Sequence, residues 1–476
     1  MFYLNREYFV IEKFQYSYST LAKLLNHEPK ILWRRENFLF KSITNSSQEV
    51  KPGSLFVPLI SNRDGHEFIS DALKRGASGF LANRKSSILK SLSNKQLQSA
   101  ILVDDTWKAL ADLARYHRMR FNPFVIGITG SSGKTTTKEL LASCYAHLPK
   151  SQIVVTEKNF NNEIGVPFTL FRINAQTEIA IIEMGMNHRG EIQKLTEMAR
   201  PLWSIITNIG SAHIENLKSP ETIAQEKTDI LFGMPSGGRL YTPENIHFPE
   251  IVEAKTKQFQ IQSVTWKISS SSLKIKKKHP HGFDLTWEGL PFHWNTPGEK
   301  ILSNLSGVMK LASDSGIDKE TLVSNIQKFK SSKGRLVVIK KYFTLIDDTY
   351  NANPESMESS ISVASQLSDG RPFACILGDM KELGSHSEKY HKQIAKYLLN
   401  HEVKWVIGYG KDAVFFNPNL VDQASSISFS HWPETVKNLD ELVAQFKRNL
   451  PAQTVILVKG SRSMKMEGIV EKILVS

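Results

Sequence analysis

Cysteine is nearly absent from this chain: Cys144 and Cys375 are the only two in 476 residues. So few, set so far apart, exclude a disulfide framework and a cysteine-based metal centre, and a reducing compartment suits them. Long apolar runs are missing as well. None reaches the ~18 residues of a membrane-spanning helix. The opening residues, MFYLNREYFVIEKF, set Arg6, Glu7, Glu12 and Lys13 among their apolar side chains and so lack the unbroken core of a signal peptide. A cytoplasmic protein without membrane insertion is expected. No internal repeat or low-complexity tract is present, which excludes solenoids and linker-like arrays. Acidic residues are in deficit, 47 against 60 Lys plus Arg, and the net charge of +13 suits an anionic partner. Part of that excess lies at Lys274, Lys276, Lys277 and Lys278, which alternate with Leu273 and Ile275 as on a solvated strand edge. No aromatic-interleaved basic motif accompanies them, so nucleic acid is not an expected partner.

The chain is long enough for two or three domains of roughly 100–200 residues, and 41% hydrophobic with 22% charged residues describes a folded protein. The run ITNSSQEVKPGSLFVPL followed by NRDGHEFISDALKRGASGFLA reads as strand, turn at Pro52-Gly53, strand, loop and amphipathic helix. A helix over 105–120 ends before Asn122-Pro123, which places a boundary near residue 121. Apolar strands at 124–129, 153–156, 179–184 and 204–207 then alternate with helical stretches, the pattern of a parallel sheet with crossover helices. The section 240–294 alternates apolar and polar residues and suggests an antiparallel extension. A third α/β unit from residue 333 carries strands at 344–346, 373–377, 405–407 and 455–458.

The strongest motif is VIGITGSSGKTTTKELLA, a strand, a glycine-rich turn and a helix starting near Lys134. Gly130 and Gly133 let backbone N–H groups converge on phosphate oxygens, and the helix start adds its positive dipole end. Lys134 would neutralise the β and γ phosphates, and the Thr135 hydroxyl would join a magnesium ion. The strict P-loop pattern has glycine at position 128; here Ile128 stands there and the first glycine is Gly127. ATP or GTP is therefore expected. Glu183 ends the apolar strand AIIEMG, where a carboxylate has little packing purpose but can hold magnesium at the mouth of a parallel sheet. His213 follows another strand end in TNIGSAHIE; the residues alone leave it equally a packing histidine or a site histidine. Lys227, in IAQEKTDI, reads by pattern alone as a helix-surface lysine.

In order, TGSSGKTTTKE, TEKNFNNEIGVP, IEMGMN, TNIGSAHIE and IAQEKTDI resemble the central domain of the Mur ligase family of peptidoglycan synthesis. NNEIGVP together with DDTYNANPESM resembles the branch that adds D-alanyl-D-alanine to UDP-N-acetylmuramoyl-tripeptide. SLFVPL with DGHEF, then SKGR, GDMKELG and VKGSRSMKME, extend the likeness across the whole chain. The resemblance implies an α/β fold in three domains: a small UDP-sugar-binding domain at 1–121, a central P-loop parallel-sheet ATPase domain at 122–332 and a Rossmann-like ligase domain at 333–476. It implies an ADP-forming ligase that uses ATP and two magnesium ions, and that takes the tripeptide nucleotide and the dipeptide as its partners, as a monomer.

By the same resemblance, Gly130, Ser131, Ser132, Gly133, Lys134, Thr135 and Thr136 cradle ATP. Thr135 and Glu183 share one magnesium, and His213 with a carbamylated Lys227 holds the second. Asn304 contacts adenine, while Arg335 and Asp348 reach the γ-phosphate side and the ribose. Asn159, Asn161, Asn162, Asn351 and Asn353 face the sugar and peptide substrates, and Lys459, Ser461 and Arg462 take a carboxylate of the dipeptide. Two departures stand out: Asn45, Ser46 and Ser47 replace an Asp-Ser-Arg run of the first domain, and Lys300-Ile301 replaces His-Asn before Asn304. Rival readings are a sister ligase or a folylpolyglutamate synthase-like enzyme, a nucleic-acid-associated P-loop NTPase, and a protein that holds nucleotide without turning it over.

Overall fold

Parallel pairing of the apolar runs dominates the computed structural model, which describes residues 10–11, 13–26, 38–268, 272–433, 439–448 and 450–475. Arg6, Glu7 and Glu12 of the charged N-terminus lie outside the described residues. The first sheet runs Val10–Ile11, Ser42–Thr44, Ser54–Phe56, Gly79–Asn83 and Ala100–Val103. Its first pair is antiparallel and the rest are parallel. The helix Thr106–Met119 follows, capped by Asp105, whose carboxylate accepts from the Trp107 and Lys108 amides. This helix bolts the first unit to the second. His117 Nε2 donates to the Ile173 carbonyl at 2.8 Å, which leaves Nδ1 to accept from the Tyr16 hydroxyl at 2.8 Å. Burial holds that imidazole neutral, with its pKa pulled down to about 4.

The central sheet has six parallel strands in the order Gln262–Trp266, Arg239–Pro243, Trp203–Ile206, Phe124–Thr129, Ile179–Glu183, Ile153–Val155. Helices cover both faces, so Ile126, Ile128, Ile181 and Ile182 are all fully buried. Each contributes roughly 1.5–3 kcal/mol by burial, and strands wet on neither face read as apolar runs rather than alternations. The section 240–294 departs from the expected antiparallel extension. Arg239–Pro243 and Gln262–Trp266 continue the parallel sheet, because the helix Pro249–Gln258 between them supplies a crossover. Among the described residues of this section, only Leu273–His279, Gly282–Trp287 and Leu290–Trp294 are antiparallel. Lys274, Lys276, Lys277 and Lys278 are exposed there, as the pattern suggested.

The third sheet runs Val337–Lys340, Thr344–Asp348, Val455–Lys459, Phe373–Gly378, Val403–Tyr409, Ser428–Trp432, parallel except for its first pair. Among the described residues, no helix is long and apolar enough to cross a membrane.

Candidate active site

The carboxyl ends of the central strands set the site, the usual place for ligands in an open parallel sheet. Thr129 ends one strand, Glu183 the next, and Thr207 follows a third. After Thr129 the chain turns through Gly130 and re-enters a helix, Lys134–Cys144, whose N-cap is Gly133. Both glycines are required. A Cβ on Gly130 would stand 1.9 Å from Thr207 Oγ1, and Gly133 combines φ +76° with a neighbour, Asn304 Nδ2, 2.7 Å from where its Cβ would be. The adenine-side asparagine predicted from sequence thus packs directly on the loop. Leu140, Leu141 and Cys144 of the same helix are fully buried and anchor it in the core.

The loop is held open by side chains from the strand-end segment after Ile206. Asn208 Oδ1 accepts from the Ser131 and Ser132 amides, both at 2.9 Å, and Thr207 Oγ1 donates to the Ser132 carbonyl at 2.6 Å. Lys134 folds back so that its Nζ donates to the Gly130 carbonyl at 2.6 Å. Burial pulls the Lys134 pKa down, Glu183 pulls it back up, and Arg335 adds to the lowering. Lys138 and Lys227 are likewise lowered by burial, so cations outnumber the means to solvate them here. Such a cluster favours a polyanion.

Glu183 is 1% exposed. Its Oε1 accepts from Thr135 Oγ1 at 3.1 Å and from Asn161 Nδ2 at 2.7 Å, while its Oε2 is buried with no hydrogen bond. The nearest cation is Lys138 Nζ, 3.9 Å from Oε2. A buried carboxylate oxygen without a donor is costly, and a hydroxyl beside it completes an oxygen donor set that fits a magnesium ion. His213 lies at φ +65° and pairs through Nδ1 with Glu382 Oε2 at 2.5 Å; Glu382 also sits at φ +65°. Burial lowers the His213 pKa against the pull of Glu382, favouring the neutral ring a metal ligand needs.

Lys227 corrects the pattern-based reading: it is 1% exposed, not on the surface. Its helix, Pro220–Thr228, is buried on most sides. Desolvation, then the charge of Lys134, holds its amine well below the ordinary lysine range. Among the described residues its Nζ has no ion pair, and Glu355 and Glu226 supply the only opposing pull.

The third unit closes over this mouth. Asn353 caps the helix Pro354–Ser368 through its Oδ1 and donates from Nδ2 to the Ser131 carbonyl at 3.1 Å. Glu355 Oε1 accepts from the Ser211 amide at 2.6 Å and the Ser211 hydroxyl at 2.8 Å, leaving its Oε2 buried and unpaired. Lys300, one of the two departures before Asn304, donates to the Glu355 carbonyl at 2.9 Å. The Arg335 guanidinium lies 3.8 Å over the Tyr350 ring, which aims it into the cleft. Asp348 accepts from the Leu336 amide and from Ser360 and Lys459, the last at 2.5 Å.

A cavity of 1440 Å³ joins these groups. Every residue predicted from sequence lines it except Gly130, Lys227 and Ser461. Their immediate contacts differ in kind. Asn159 is exposed at the rim, whereas Asn162 caps the Ile164 and Gly165 amides. Lys459 spends its ammonium on Asp348 and the Asn351 carbonyl. Ser461 bridges the Ala352 carbonyl and the Lys381 amide, and the Arg462 amide donates to Asn351 Oδ1. Asn208, Tyr350, Glu355 and Glu382 were not singled out from sequence, although all four lie inside motifs that were. In the first unit, Ser46 caps a short turn and is buried, so the altered Asn45-Ser46-Ser47 run has a local structural use.

Comparison with known proteins agrees with this architecture. The model of the Mur ligase middle domain matches residues 128–312, and that of the Mur ligase glutamate ligase domain matches residues 334–462. The chain is 31% identical over 447 residues to a UDP-N-acetylmuramoyl-tripeptide--D-alanyl-D-alanine ligase of Bacillus subtilis, covering 93% of this chain and 94% of that protein. A MurF crystal structure from Acinetobacter baumannii superposes with a TM-score of 0.84 at 24% identity, covering 98% of this chain and all of that one, a likeness of fold. A MurF ligase from Thermotoga maritima in complex with ADP has a TM-score of 0.76 at 25% identity, covering 90% of this chain and 96% of that one.

Proposed function

The chain belongs to the Mur ligase family, and from that premise we propose that it joins D-alanyl-D-alanine to UDP-N-acetylmuramoyl-tripeptide at the expense of ATP. The single observation that carries this reading is the cleft between the second and third units, where a P-loop, a buried carboxylate and a third-unit arginine face one cavity. The tripeptide carboxylate oxygen attacks the γ phosphorus, and ADP leaves. The amine of D-alanyl-D-alanine then adds to the acyl carbon, loses its proton, and expels phosphate, which departs with the former carboxylate oxygen. Activation is needed because a free carboxylate is a poor acyl donor. The enzyme supplies mainly placement and charge, with water kept out by closure of the third unit.

Lys134 and the loop amides of Ser131 to Thr136 would hold the phosphates, with Arg335 following charge onto the transferring group. Asn304 suits the adenine and Asp348 the ribose. Thr135 and Glu183 fit one magnesium, and His213 with Lys227 a second; bound there, the ions would draw negative charge off the reacting oxygens. The desolvated, unpaired amine of Lys227 is suited to addition of carbon dioxide, and the resulting carbamate would convert a buried cation into an oxygen ligand. Asn159, Asn161, Asn351 and Asn353 offer neutral donors and acceptors to the peptide groups. Arg462, half-exposed and paired on one side with Glu467, is the cation for a dipeptide carboxylate, since Lys459 and Ser461 serve here to fix the loop that presents it. The first unit, over 1–121, would take the uridine diphosphate end; none of its described residues lines the cleft. A monomer in a cytoplasmic setting completes the reading; the two buried, unbridged cysteines and the need for ATP suit that compartment.

Purified protein is given ATP and magnesium with each acceptor singly and then with both, and phosphate release and product mass are followed. Release that needs both, with a product gaining the dipeptide less one water, supports the reading. Release indifferent to both would overturn it, and turnover with a single amino acid in place of the dipeptide would move the chain to a sister ligase.

A further inference from the structure

The three-stranded antiparallel sheet lends Lys274, Ile275 and Lys278 to the wall of the cleft and gathers His279, Asp284 and His293, none of which lines it, on one face. His279 Nε2 lies 2.7 Å from Asp284 Oδ2, and His293 Nδ1 lies 2.7 Å from Asp284 Oδ1. The three donor atoms all fall within 4.8 Å of one another. We propose that these residues form a binding site for a divalent transition metal of the zinc, cobalt or nickel class, separate from the magnesium-type site at the phosphate loop.

The sheet register makes the cluster. Asp284 stands directly across from His293 in the second and third strands. On the first strand an irregularity between Ile275 and Lys277 inserts one residue, so that Lys277, not Lys276, opposes Asp284. That shift turns His279 to the face of Asp284; unbroken alternation would have sent it to the other side. On the opposite face Phe283, Trp287 and Trp294 are buried, so the strands under the three ligands are anchored in the core. The side chains themselves are 31%, 44% and 47% exposed, which leaves coordination positions for water and an open path for the ion.

The donor set decides the class of metal. Two imidazole nitrogens and one carboxylate oxygen favour zinc, cobalt or nickel over magnesium or calcium, which take oxygen. Bonds of about 2.0–2.1 Å from each donor need the atoms a little further apart than the present hydrogen bonds, within reach of rotamer adjustment in half-exposed side chains. Lys278 is tied to Glu299 and does not compete for Asp284. Lys277 faces the site and tempers its affinity, as suits an exchangeable ion. The buried Cys144 and Cys375 offer no rival thiolate. The hairpin also touches the third unit: Gln366 Nε2 donates to the His279 carbonyl at 2.9 Å, and Lys340 Nζ lies 3.1 Å from His281 Nε2. An ion here would stiffen a contact between the two units that close on ATP.

The test is equilibrium dialysis of the full chain against zinc with magnesium and ADP in excess, comparing wild type with His293→Ala and Asp284→Asn. Zinc taken up at the phosphate site is common to all three proteins and cancels. Wild type should hold one equivalent more than either variant, with an absorption-edge spectrum showing only nitrogen and oxygen neighbours. Equal stoichiometry in the three proteins, or a sulfur neighbour, would overturn the proposal and leave the cluster a hydrogen-bonded carboxylate between two imidazoles. Failure of this site has no bearing on ligation, which is measured separately.

Discussion

Replacing Glu183 with Gln separates the catalytic use of that carboxylate from its structural use. The wild-type side chain is 1% exposed, accepts from Thr135 and Asn161 through one oxygen and leaves the other without a donor. In Glu183→Gln the amide oxygen retains both hydrogen bonds and a buried charge disappears. A buried ion costs several kcal/mol in desolvation, and Lys138 at 3.9 Å offsets only part of it. Glu183 also offsets the buried Lys134 and Lys138 charges, so relief and loss oppose one another and thermal stability should hold. Catalysis should not: loss of the anionic ligand removes about 3 kcal/mol of transition-state stabilisation, roughly a hundredfold in kcat. The assay is phosphate release with both acceptors at saturating magnesium, beside a thermal melt. A kcat within about fivefold of wild type (near 1 kcal/mol by the same conversion) would refute the assignment; a collapsed melting temperature would mean that the carboxylate serves the fold instead.

Gly133→Ala places a Cβ at φ +76° against Asn304 and should cost about 1–2 kcal/mol from the left-handed backbone alone; it should raise KM for ATP more than it lowers kcat, as steady-state kinetics will read. Lys227→Met in carbon dioxide-free buffer should be more stable than wild type by about 1–4 kcal/mol near neutrality, the range for replacing buried ionic groups. The folded pKa of Lys227 is depressed, so between it and the unfolded value of about 10.4 the unfolded chain binds the extra proton and wild type gains stability as pH rises. The gap should thus narrow in denaturant melts toward high pH; a constant gap contradicts the shift. Glu382→Gln removes the partner that raises the His213 pKa. If neutral His213 is the active form, the acid limb of kcat/KM moves to lower pH, and a limb that stays fixed speaks against that role. Asn353→Ala removes both a helix cap worth about 1 kcal/mol and the bond to the Ser131 carbonyl, so melting temperature should fall and KM for ATP should rise together.

Elements built from unbroken apolar runs were legible before any coordinates, because strands such as Ile179–Glu183 are dry on both faces and need no partner to declare themselves. Glu183 was legible for the same reason, a carboxylate at the end of such a run. Lys227 was not: polarity marks a solvent face only on a helix that has one, and Pro220–Thr228 is buried on most sides. Glu355 and Asn208 act on backbone amides that packing alone brings to them; Ser211 lies 144 residues from Glu355. The section 240–294 misled because its alternation is shared by an edge of the parallel sheet and a true antiparallel hairpin, and only the helix Pro249–Gln258, a crossover between the two strands of that edge, tells them apart. The face of His279 depended on a single inserted residue, which alternation rules cannot foresee.

The acyl phosphate is the centre of the account, and oxygen labelling reaches it directly. Tripeptide nucleotide carrying ¹⁸O in its terminal carboxylate is turned over with ATP and D-alanyl-D-alanine, and the released phosphate is weighed. One label per phosphate is predicted, since the carboxylate oxygen that attacked the γ phosphorus leaves with it. Phosphate free of label would mean that water or another group took the phosphoryl first, and the proposed chemistry of this cleft would be wrong.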